Sequence, residues 1–173
     1  MHIDLRSCAR VLALSATVAC SRGASTTSSA RPAAQGDTAF AAMQARGQMA
    51  MGVDQYTSTH TFDALPDGGR IELLRDVADT LGTRQIRAHL RLIEHAFQAG
   101  DFSTPEFVHM QQMPGTSVMA AKKDVISYRY RELPRGGEVR MTTSDTAALA
   151  AIHAFVAAQR DQHHANGMAM PGH

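Results

Sequence analysis

Residues 58–76 read STHTFDALPDGGRIELLRD, and residues 125–143 read VISYRYRELPRGGEVRMTT. Set one above the other on their turns, Leu65-Pro66-Asp67-Gly68-Gly69 meets Leu133-Pro134-Arg135-Gly136-Gly137, 68 positions later. Phe62 then meets Tyr130, His60 meets Tyr128 and Ile71 meets Val139. Both copies alternate strand-favouring and polar residues on either side of a Pro-x-Gly-Gly turn. Proline presets one turn dihedral and glycine tolerates positive φ, so each copy reads as a β-hairpin.

Each hairpin leads into a helical pattern. In TRQIRAHLRLIEHAFQAG (83–100), Ile86, Leu90, Ile93 and Phe97 recur on one face, and Gly100 supplies a stop. In SDTAALAAIHAFVAAQRDQHH (144–164), Ser144 or Asp145 can cap, and Leu149, Ile152, Phe155 and Val156 form the apolar band. With about four residues gapped, His89 and His153 fall at comparable places in the two copies. The expected fold is α+β: two ββα units forming an antiparallel sheet of about four strands, with both helices packed on one face. A lone hairpin cannot bury its apolar side, whereas two units can share a core.

The N-terminus has the layout of a bacterial export signal. MHIDLRSCAR carries Arg6 and Arg10, VLALSATVA (11–19) is a short apolar run, and Cys20 follows. Cleavage after Ala19 leaves Cys20 first, and Thr17 and Val18 make a loose lipobox. Two outcomes are open, a lipid anchor on Cys20 or simple secretion, and both place the protein on the periplasmic side. Cys8 leaves with the signal, so the mature chain has no disulfide pair. Residues 20–38 read as a flexible tether rich in Ser, Ala and Thr, and 39–164 as the domain, opening on a short helix weakened by Gly47 and Gly52. Residues 165–173 read as a disordered Met/His tail. A formal charge of +1, with Lys122 and Lys123 the only lysines, argues against a nucleic-acid binder. No apolar run approaches the roughly 18–20 residues that span a bilayer, which leaves a lipid anchor as the membrane contact.

The residues with chemistry to offer are methionine, histidine and arginine. FVHMQQMPGTSVM (107–119) falls in the connection from 101 to 124 between the two units. A connection of that length tends to be functional or to carry structure of its own. Imidazole suits copper and zinc, and thioether sulfur selects soft ions, above all Cu(I). The expectation is therefore a metal-binding accessory protein, with copper as the ion. His109, Met110 and Met113 are the first ligands, and His60, His89 and His153 are further contributors. Two more groups, Met43 with Met49 and Met51, and His163 and His164 with Met168, Met170 and His173, flank the hairpins. The alternative is a non-metal module for a small anion or a periplasmic protein partner, held by Arg84, Arg87 and Arg91 at helical spacing. A third reading pairs His89 and His153 across a pseudo-twofold in a small hydrolase or lyase. No G-x-S-x-G, phosphate loop, H-E-x-x-H or CxxC is present, which weighs against catalysis. Plainer roles compete for the same residues: methionine as core filler, histidines bonded to carbonyls, a solvated arginine face.

The segments MGVDQYTSTHTF, LPDGGRIEL, IRAHL, FVHMQQMPG, ISYRY and AALAAIHAFVAAQRDQHH, spread over 39–164, resemble a family of small uncharacterised exported bacterial proteins. Some members carry an automatic carbamoyltransferase label. This chain is too short for that two-domain enzyme and lacks its Ser-Thr-Arg-Thr motif. The resemblance implies export and an intact domain, and it brings no site residues with it.

Overall fold

A computed structural model describes residues 31–164, with side chains from Thr38 onward. The export signal, Cys20 and the tail from 165 to 173 lie outside the described residues. The elements are α1 (Arg31–Met51), β1 (Ser58–Leu65), β2 (Gly68–Arg75), α2 (Thr80–Gln98), α3 (Ser103–His109), α4 (Thr116–Ala121), β3 (Ser127–Leu133), β4 (Gly136–Thr142) and α5 (Thr146–Gln162). Single 3-10 turns at Gln55–Thr57 and Lys123–Val125 lead into β1 and β3.

Each hairpin closes through a two-residue turn, with Leu65 opposite Gly68 and Leu133 opposite Gly136. The four strands form one antiparallel sheet in the order β1-β2-β4-β3. At its centre Ile71 pairs with Val139, its own counterpart in the other copy. Gly69 pairs with Met141 and Leu73 with Gly137, so the register is symmetric about that central pair. The turn glycines explain why the hairpins meet so closely. A Cβ on Gly68 would lie 1.9 Å from the Met141 carbonyl oxygen, and one on Gly136 would lie 2.0 Å from that of Leu73. Each turn then docks on the other unit: Thr143 N–H donates to Asp67 O at 3.0 Å, and Arg75 N–H to Arg135 O at 2.8 Å.

The helices cross over between units. α2, which follows the first hairpin, packs on β3 and β4, and α5 packs on β1 and β2. Asp79 caps α2 through Leu81 and Gly82 N–H, and Asp145 caps α5 through Ala148 N–H. Between helices and sheet lie Leu73, Ile86, Leu90, Phe97, Val139, Met141, Ile152, Phe155 and Val156, all nearly inaccessible to water. Burial of side chains of this size stabilises by roughly 1.5–3 kcal/mol each. The opposite sheet face carries paired charges, Arg70 with Asp63, Glu72 and Glu138, Arg131 with Glu138, and Arg140 with Asp67.

Two expectations change here. α1 begins at Arg31, inside the stretch read as a tether, and runs through Gly47 to Met51. α1 packs against α2 and α3, and the buried Gly47 makes a slot for Gln55. A Cβ there would sit 1.2 Å from the Gln55 amide nitrogen. The helix caps, moreover, stand 66 positions apart, at Asp79 and Asp145. On that spacing Ile86 matches Ile152 and Leu90 matches Val156, whereas His153 matches Arg87 and not His89.

Candidate binding site at a buried imidazole cluster

The spacing of the helix caps exposes a polar intrusion into the repeated core. Ile93 of α2 corresponds to Gln159 of α5, and Phe97 corresponds to His163, one residue past the end of α5. On the sheet, Tyr128 of β3 corresponds to His60 of β1. In one half of the molecule Phe97 therefore stands against Tyr128, with ring centroids 5.8 Å apart. In the other half His163 stands against His60 at 5.1 Å, close to parallel. Phe102 and Phe155 complete the aromatic half. His109, at the end of α3, completes the imidazole half, 5.0 Å from His163 and edge-on to it.

These histidines line a cavity of about 80 Å³. Phe62, Ile71, Leu73, Leu90 and Phe97 make its apolar wall, and His60, His89, His109, His163, Gln55 and Gln159 make its polar one. Met51 of α1 also belongs to the lining. Among the described residues no carboxylate lines it.

Hydrogen bonding decides what each ring presents. His109 is 9% exposed, and its Nε2 lies 2.9 Å from Gln159 Oε1. An amide oxygen accepts, so Nε2 carries the proton and Nδ1 keeps a bare lone pair. That Nδ1 is buried without a partner, as are His163 Nδ1 and Gln55 Oε1. An unpaired buried polar atom costs about 1–3 kcal/mol, and all three belong to residues that line the cavity. His89 donates to the Ala50 carbonyl, which ties α2 to the end of α1.

Burial keeps these rings neutral. It lowers His60 to about 4, with His89 nearby adding repulsion. It lowers His89 to about 4 against the opposing effect of its Ala50 bond. It pushes His163 down to about 2, helped by His60, His109 and His164. His109 is lowered by burial, against the opposing effect of its bond to Gln159. At neutral pH the cluster is a set of lone-pair donors.

The expected ligand set is regrouped. His109, His60 and His89 come together at the cavity. Met110 and Met113 do not join His109, because α3 ends there and Met110 turns left-handed at φ 54°. That reversal leaves Met110 69% exposed and sends Met113, 1% exposed, into the core. His153 lies outside the cavity lining, with Nε2 2.9 Å from the Leu65 carbonyl oxygen. Its counterpart Arg87 donates to the Leu133 carbonyl at 2.7 Å, the matching position of the other hairpin. His89 and His153 are thus committed to separate carbonyls and do not form an acid–base pair. The arginine stripe is likewise engaged. Arg87 also donates to Gly136 O and pairs with Glu132, and Arg91 pairs with Glu132 and lies over the Tyr130 ring. Arg84 alone of the three is exposed with no such contact.

Gln159 and Gln55 are lining residues that the hydrophobic pattern hid, and His163 and Met51, placed above only in the groups flanking the hairpins, line the cavity too. The signal for two of them was a glutamine and a histidine in apolar register at the end of α5, visible once the helices are aligned on their caps. Among the described residues no three His, Cys, Asp or Glu side chains are arranged as a ready metal-holding group, and no helix is long and apolar enough to cross a membrane. The chain matches no family model, no curated protein and no solved structure.

Proposed function

We propose that this is an exported metal-binding accessory protein whose site lies at the imidazole cluster of His60, His109 and His163, with His109 and His163 as its imidazole ligands. The observation that carries the reading is the replacement of one aromatic half of a duplicated core by histidines, two of which keep bare, buried nitrogens on a common cavity. The other half packs the same space with Phe97 and Tyr128, so imidazole is not required for packing there. Gln159 supports the reading as an outer partner that fixes the His109 tautomer, the usual arrangement behind a metal-bound imidazole. Export rests on the N-terminal charge, apolar run and Cys20, and is compatible with the resemblance to small exported proteins.

The test is metal uptake by the full chain and by His163→Phe, which installs the side chain used at the matching position. The unmodified chain is expected to retain one transition-metal ion after gel filtration, and His163→Phe to retain none while gaining roughly 1 kcal/mol of stability from the buried ring. Equal retention by the two proteins would sink the proposal.

A further inference from the structure

The composition of the cavity wall narrows the ion, on the reading that the cluster is a metal site. The wall offers neutral donors and, among the described residues, no carboxylate. A divalent ion placed there would keep its full charge in apolar surroundings. The Born cost grows with the square of the charge, so it is about four times that of a monovalent ion. Coordination number points the same way. Two bare nitrogens, His109 Nδ1 and His163 Nδ1, are on offer, whereas structural zinc takes four ligands in a tetrahedron. An ion satisfied by two or three ligands fits this supply. Besides its imidazoles and amides the wall carries a soft residue: Met51, 7% exposed at the end of α1, lines the same cavity. Thioether and imidazole together select copper in its reduced state.

We infer that the ion is monovalent copper, taken by His109 Nδ1 and His163 Nδ1, with the Met51 thioether as the residue that sets selectivity against zinc. Met51 is a different methionine from those of the 107–119 stretch, and it reaches the cavity because α1 folds over α2 and α3. His89 holds that end of α1 in place through the Ala50 carbonyl.

The experiment uses the full chain with Cys8 and Cys20 changed to Ser and Met168 and Met170 changed to Leu, which removes both cysteines and the two tail methionines. Cu(I) is titrated anaerobically against bicinchoninate, Zn(II) against a zinc-binding dye, and the copper complex is examined by X-ray absorption. One Cu(I) per chain is expected, with nitrogen and a single sulfur in its shell. Met51→Leu, close in volume, is expected to lose the sulfur and weaken Cu(I) at least about ten-fold, the scale on which one supporting group moves metal affinity, with Zn(II) unchanged. A copper shell without sulfur in the parent protein, or tighter retention of Zn(II) than of Cu(I), would overturn the inference while leaving an imidazole metal site standing. Uptake of both ions that survives His163→Phe would remove the site itself.

Discussion

His109 and Gln159 show how a single contact can define a candidate site. The amide oxygen 2.9 Å from Nε2 holds the proton on that nitrogen and leaves the other bare. Gln159 is 4% exposed and stands where the first unit has Ile93. Gln159→Ile restores the apolar residue but removes the acceptor of a buried N–H. Stability is expected to fall by about 1–2 kcal/mol, and metal affinity by about 10–100-fold. Adding His109→Phe should recover most of the stability and none of the affinity, because removing both partners leaves nothing unpaired. Urea denaturation with metal titration checks both; a single variant as stable as the parent, with unaltered uptake, would refute the role given to Gln159. The sequence did not announce this pair, since the two residues lie 50 positions apart and neither belongs to a motif.

At the scale of elements, the helices act as struts between units. α5 follows the second hairpin yet lies on the first, and His153 bonds the last carbonyl of β1. α2 does the reverse, and Arg87 bonds the last carbonyl of β3. Loss of either leaves a carbonyl at the hairpin turn without its partner. His153→Leu is expected to cost about 1–2 kcal/mol, and Arg87→Leu more, since it also releases Gly136 O and Glu132. Neither should change metal uptake. Thermal denaturation beside metal analysis separates these strut residues from His163, for which the opposite pattern is expected. If His153→Leu abolished uptake with stability intact, His153 would belong to the site after all. The hairpins themselves were legible from Pro-x-Gly-Gly and strand alternation. The crossing of the helices was not, because an apolar stripe specifies that a helix packs and not on which hairpin.

The whole molecule should respond to acid through its buried rings. His60 and His89 titrate near 4 in the folded chain, and His163 and His109 are also lowered. An unfolded imidazole titrates near 6.5, so below that pH the unfolded chain binds more protons than the folded one. Stability is therefore complete above about pH 6.5, falls as pH drops, and levels off for His60 and His89 near 4. The linkage for each of those two rings is roughly 3 kcal/mol at most. Urea midpoints for the metal-free protein between pH 7.5 and 4 should decline steadily, and less steeply in His60→Phe. A flat profile across that interval would mean that the rings are solvated and the cavity is open.

The sequence by itself determined the two hairpins, the two amphipathic helices, the antiparallel α+β class and the presence of His109, His60 and His89 among the candidate donors. Those features are local, set by turn chemistry, strand alternation and helical period, and they survive without knowledge of what packs where. Tertiary structure alone decided that His163 closes the cluster, that Met51 and not Met110 or Met113 lines the same cavity, and that His153, Arg87 and Arg91 are occupied elsewhere. The reason is physical. A donor becomes a ligand only when its neighbours leave its lone pair unpartnered and buried, and those neighbours come from β1, α1, α2, α3 and α5 at once.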